Sequence, residues 1–227
     1  MSHTETGDAH ASGHADWKLG DPPIVHHMDS HTAYDAARLG MWLFLATEVL
    51  LFGGLFAAYL FYHWMYFAEF HHASKGLNWQ LGTLNTGVLL FSSYLAVMAV
   101  DAIKQGKNDR AYKFLISTIG CGFIFLIIKA FEYYHKFELG LFPGLSTFNS
   151  VEHQHEYKMF FGLYFCMTAL HALHVILGMG LLLWGALKVR SGRLSARYYT
   201  PVEVGALYWH LVDLIWIYLF PLLYLVG

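Results

Sequence analysis

The sequence predicts an all-α membrane protein, a bundle of five transmembrane helices with its N-terminus cytoplasmic and its C-terminus periplasmic. Three observations predict it. Of 227 residues, 56% are hydrophobic and only 13% charged, about half the charged share of an average soluble domain. Five stretches, at about 39–66, 81–103, 112–137, 157–187 and 204–226, reach the roughly 20 predominantly apolar residues that cross a bilayer core. The lysines and arginines, finally, gather in two of the connections between these stretches.

Taken in order, residues 1–37 are polar, rich in His and Gly, and lack the apolar core of a secretory signal, so they read as a cytoplasmic tail. The membrane domain spans 38–227 and leaves no room for a second domain. The first segment carries Gly53, Gly54, Ala57 and Ala58, small side chains that permit close helix packing. The connection after the second segment holds Lys104, Lys107, Arg110 and Lys113, and the one after the fourth holds Lys188, Arg190, Arg193 and Arg197. Positive charge is retained on the cytoplasmic side, which places both connections there and orients every segment by alternation. Cys121 and Cys166 lie inside apolar runs and read as small core residues. The net charge of −2, with no basic stripe, excludes nucleic acid as a partner. No phosphate loop, nucleophile elbow or Cys/His zinc spacing is present.

The orientation converts positions to depths at about 1.5 Å per residue. Glu48, His174, His210 and Asp213 then fall roughly 3 to 8 Å to the cytoplasmic side of their segment middles, with His171 near the centre. Lys129 and Glu132 lie in the outward half, spaced i,i+3 so that one charge offsets the other. An ionisable group at the bilayer centre costs roughly 2.5–3.5 kcal/mol on insertion scales, so each of these residues needs a partner. For His171 with His174 the choices are metal or haem ligation and hydrogen bonds across helices, and the second is the simpler. His210 and Asp213 read as an internal pair. Glu48 has no oppositely charged neighbour on its own helix and must be protonated, paired with another helix, or facing a headgroup or water.

Glu-x-x-His, the pattern of di-iron carboxylate bundles, occurs at Glu69 with His72, Glu132 with His135 and Glu152 with His155. A membrane di-iron enzyme is therefore a rival from a different class. A transporter ranks below it, because no internal repeat is visible.

Segment by segment the chain resembles the cytochrome c oxidase subunit 3 family, subunit III of the haem-copper oxidases, in a five-helix form. The resemblance rests on Arg38-Leu39-Gly40-Met41 with Thr47-Glu48-Val49-Leu50; on the run from Leu84 to Leu90; on Glu132-Tyr133-Tyr134; on the run from His171 to Gly178; and on the run from Tyr208 to Asp213 with Trp216. Larger members of that family have two further helices, with a lipid-holding cleft between them and the rest. Lys129 departs from the glutamine that many members carry.

The resemblance implies a non-redox accessory subunit of a proton-pumping terminal oxidase in the bacterial inner membrane. It would pack on subunit I, with subunit II, other small subunits and a respiratory supercomplex as further partners. Haem and copper would sit on partner subunits, with neither metal nor cofactor on this chain, bound phospholipid apart. Glu48, Arg38, Lys188 and His27 or His31 would be the lipid or functional candidates, and His171, His174, His210, Asp213, Lys129 and Glu132 a structural polar layer. A quinol oxidase or nitric oxide reductase subunit is the alternative within the superfamily.

Overall fold

The computed structural model describes residues 30–74, 76–138 and 155–225. Among them the chain forms helices α1 (Ser30–Met65), α2 (Phe67–Ser74), α3 (Trp79–Lys104), α4 (Asn108–Glu138), α5 (His155–Arg190) and α6 (Thr200–Tyr224). All but α2 are long and apolar enough to cross a membrane. The short α2 stands in the connection between the first two membrane segments. Helices α4 and α6 start at Asn108 and Thr200, earlier than the apolar segments, because hydropathy marks the part that meets hydrocarbon while the hydrogen-bonded helix continues into polar sequence. Pro201, in the first turn of α6, supports that early start because the N–H it lacks has no intrahelical acceptor there.

Helices α3 to α6 form a closed ring, α3 against α4, α4 against α5, α5 against α6 and α6 against α3. Glycine and tryptophan explain how tightly it closes. The Trp209 ring of α6 lies so close to Gly122 of α4 and Gly178 of α5 that a methyl at either would stand 2.9 Å from a ring carbon. Its indole N–H donates to Ser92 Oγ of α3 at 3.0 Å. One side chain thus touches all three other helices of the ring. Trp216, two turns on, donates to Thr86 Oγ1 at 3.1 Å and packs edge-on to Phe125 at 4.9 Å.

Helix α1 leans on this ring rather than joining it, touching α6, α5 and α2. Of its most apolar stretch 17% is buried, against 56% for α6. The expectation that Gly53, Gly54 and Ala57 permit close packing is not met within the chain. Gly53, Gly54 and Ala57 are exposed, and no atom lies within 4 Å of where a Cβ would sit on Gly53 or Gly54. Their helix face is turned away from the ring.

Both basic connections lie at one end of the bundle. Gly106 and Gly192 take φ of 74° and 73°, the left-handed conformation that ends a helix at little cost only with glycine. Lys107 N–H closes on Ala102 O at 2.9 Å and Arg193 N–H on Lys188 O at 3.1 Å. The connections meet where Asn108 Nδ2 donates to Leu194 O at 3.4 Å. Glu203, in the first turn of α6, accepts from Tyr34 of α1 at 2.8 Å and pairs with Lys104 of α3 at 3.4 Å. The start of α1 therefore lies at the same basic end.

Candidate functional site

Glu48 finds its partner on another helix. Its Oε2 lies 2.8 Å from His174 Nε2 of α5, with the two side chains 14% and 9% exposed. His174 Nδ1 is 2.7 Å from Leu170 O, one turn earlier. Phe52 stands edge-on to the imidazole at 5.2 Å, and Tyr208 stacks beside it at 6.5 Å. Two residues separated along the sequence by three other helices thus meet at the α1 and α5 contact, and the i,i+3 relation of His171 and His174 does not make a shared site.

Nor do His210 and Asp213 form a direct pair; His210 turns to Ser93 of α3. Ser93 Oγ lies 2.6 Å from His210 Nδ1, whereas Asp213 Oδ1 is buried with no hydrogen-bond partner among the described residues. The sequence reading missed Ser93 because a serine in an apolar helix also bonds its own backbone, as Ser92 does to Leu89 O. His171 departs from the expected cross-helix hydrogen bond. It is fully buried, with neither ring nitrogen partnered among the described residues. Its ring sits between Phe125 and Trp216, at 5.5 and 5.3 Å.

The Lys129 and Glu132 pair is direct and larger than its spacing indicated. Nζ lies 2.9 Å from Glu132 Oε2, with both side chains about nine-tenths buried or more. Tyr224 of α6 donates to Glu132 Oε1 at 2.6 Å, and Tyr164 of α5 donates to the same oxygen at 3.0 Å. The ammonium stands over the rings of Trp216, Tyr164 and Tyr224 at 4.7, 5.6 and 5.2 Å. Lys136, also buried, stands over Tyr164 at 5.3 Å. Nearby, the Tyr133 hydroxyl meets Thr168 Oγ1, tying α4 again to α5. The tyrosines escaped the sequence reading because aromatic residues at helix ends also serve as interfacial anchors.

The two headgroup candidates among the described residues each stand over an aromatic ring. Arg38 is exposed, its guanidinium 5.5 Å above Tyr34. Lys188 is half-buried, its ammonium 3.9 Å above Trp184. His27 and the side chain of His31 lie outside the described residues. The di-iron donor set is not assembled: Glu132 is buried and taken by lysine and tyrosines, whereas His135 is exposed. Glu152 and the side chain of His155 lie outside the described residues. Among the described residues no three His, Cys, Asp or Glu side chains converge.

The arrangement is thus a ring of four helices with a fifth laid across it, polar contacts between helices inside, and one basic end. The sequence matches a family profile, cytochrome c oxidase subunit III, over residues 25–227. The chain belongs to this family. Cytochrome c oxidase subunit 3 of Thermostichus vulcanus is 34% identical over 208 residues, 91% of this chain and 94% of that protein. A haem-copper oxidase subunit I+III of Aeropyrum pernix is 30% identical over 85% of this chain, which corresponds to 23% of that longer protein. A probable quinol oxidase subunit 3 of Staphylococcus haemolyticus is 27% identical over 84% of this chain and 89% of its own length. The chain is therefore a subunit III of the haem-copper oxidases, an oxidoreductase complex.

Proposed function

We propose that this chain is the non-redox accessory subunit of a proton-pumping terminal oxidase, packed on subunit I in a bacterial inner membrane. The observation that carries the reading is the A. pernix relative, in which a region similar to 85% of this chain is continuous with a subunit I. A covalent fusion of that kind supports an association of this chain with a subunit I. The electron-transfer chemistry belongs to the haem and copper of the partner. This chain supplies packing surface, protonatable groups and a boundary with lipid.

The basic end supports a cytoplasmic placement for the start of α1 and for the α3 to α4 and α5 to α6 connections. In this reading Arg38 and Lys188 reach phospholipid headgroups at that end, and Glu48 with His174 borders the lipid at the edge of α1. Solubilisation in mild detergent tests the assembly. We expect the haem-bearing subunit I to co-purify with this chain, and the isolated chain to show no haem or copper absorption. A haem spectrum from the isolated chain would overturn the reading.

The S. haemolyticus relative favours a second donor, quinol, within the same role. Turnover of the purified complex with reduced cytochrome c and with quinol separates the two.

A further inference from the structure

Two side chains inside the four-helix ring have all their hydrogen-bonding atoms unpartnered among the described residues. They are Asn85 of α3, through Oδ1 and Nδ2, and His171 of α5, through both ring nitrogens. Each is 0% exposed. Trp216 relates them in depth. Its ring lies 5.3 Å from that of His171, and its N–H donates at 3.1 Å to Thr86, the residue after Asn85.

The geometry of the ring explains why the two do not bond each other. Helix α3 packs beside α4 and α6, and α5 packs beside the same two, so α3 and α5 stand diagonally across the bundle. The neighbours of His171 are aromatic: Phe125 of α4 lies 5.5 Å away, and Phe125 and Trp216 meet edge-on at 4.9 Å. Neither ring offers the imidazole a conventional acceptor or the amide a full set of partners. A buried polar group keeps a partner, in the protein or in water, because an unpaired one gives up its hydration without return. The hydrocarbon around the bundle supplies none.

We infer that water is bound inside the ring as the hydrogen-bond partner of Asn85 and His171. The donor set selects it. An amide presents two hydrogens and an acceptor oxygen, and a neutral imidazole presents one hydrogen and one lone pair. Water donates and accepts at once, whereas an anion would meet the amide oxygen and the lone pair, and a metal ion the hydrogens. A cation is further disfavoured by Lys129, whose ammonium stands 4.7 Å over the same Trp216 ring. Among the described residues no three His, Cys, Asp or Glu side chains converge here.

The site is also closed at both ends. Towards the basic end, Trp209 fills the space between Gly122 and Gly178. Towards the other end, Lys129, Glu132, Tyr164 and Tyr224 bond one another and tie α4, α5 and α6 together. Packing of this density leaves water as the ligand of suitable size. The inference concerns the interior of this chain and does not depend on its association with subunit I.

The test uses the full chain in its purified complex, in lipid nanodiscs. With histidine and asparagine labelled by 15N, magnetisation that starts on water protons should reach the His171 ring and the Asn85 amide at short mixing times in solid-state NMR. His171 is assigned by its contacts with labelled phenylalanine and tryptophan, so no variant need fold for this measurement. An electron cryomicroscopy map that resolves ordered water should show density about 3 Å from a His171 nitrogen and from an Asn85 side-chain atom. Either residue dry in both measurements, or bonded directly to a protein atom, would overturn the inference. His171→Phe should lose the density at that position, and its unchanged persistence would remove His171 as a ligand and overturn the site as described.

Discussion

A lysine and a glutamate one helical turn apart in a membrane helix invite the reading of mutual neutralisation, and Lys129 with Glu132 form that contact at 2.9 Å. What decides their energetics is the rest of the cage. Tyr224 and Tyr164 both donate to the carboxylate, and three aromatic rings face the ammonium. Removing one member leaves a buried charge uncompensated, which costs roughly 3–5 kcal/mol. Lys129→Met should therefore lower the thermal midpoint of the complex sharply, and adding Glu132→Gln should restore much of it. A midpoint for the double variant no higher than for Lys129→Met would show that the ion pair is not the source of the loss. The same logic separates two substitutions at Glu48. Glu48→Gln should assemble normally, whereas Glu48→Leu should lose bound phospholipid, measured by mass spectrometry of extracted lipid, and shorten the enzyme's active lifetime rather than abolish initial turnover.

Among the helices, α6 organises the ring because its tryptophans meet the glycines of its neighbours. The run from Tyr208 to Trp216 was legible as a family motif, yet its physical meaning lies in Gly122 and Gly178, on other helices. Gly178→Ala would place a methyl 2.9 Å from Trp209 Cε3 and 3.2 Å from Tyr208 Cε1, and such overpacking costs about 1–3 kcal/mol. The variant should unfold at lower temperature, and Gly180→Ala, with nothing within 4 Å, should not. Equal effects at both sites would refer the loss to helix backbone rather than packing. In α1 the small residues lie on the opposite side of the question. Gly53 and Gly54 look like packing residues in sequence and meet nothing in this chain, because a motif for close approach does not state which helix approaches.

The assembled bundle gathers at one end the start of α1 and both basic connections, held by Tyr34, Lys104, Glu203 and Asn108. In a background carrying Cys121→Ala and Cys166→Ala, Arg193→Cys should react with a membrane-impermeant thiol reagent only in inverted vesicles. Gln80→Cys, at the opposite end of α3, should react in intact cells. The reverse pattern would invert the proposed topology.

The class of fold was legible in the chain because crossing hydrocarbon imposes length and apolarity on each segment independently of all others, and the same holds for the local pairing of Lys129 with Glu132. Whether Glu48 was charged, paired or solvated was not legible, since its partner His174 lies 126 residues away and no local rule connects them. His210, one turn from Asp213 on the same face, proved to meet Ser93 of another helix instead, because a helix face fixes which residues are neighbours but not what is packed against them. Those partners depend on how five helices cross, and crossing is set by the fit of Trp209 between two glycines, a property of the folded arrangement that periodicity along one strand of sequence does not contain.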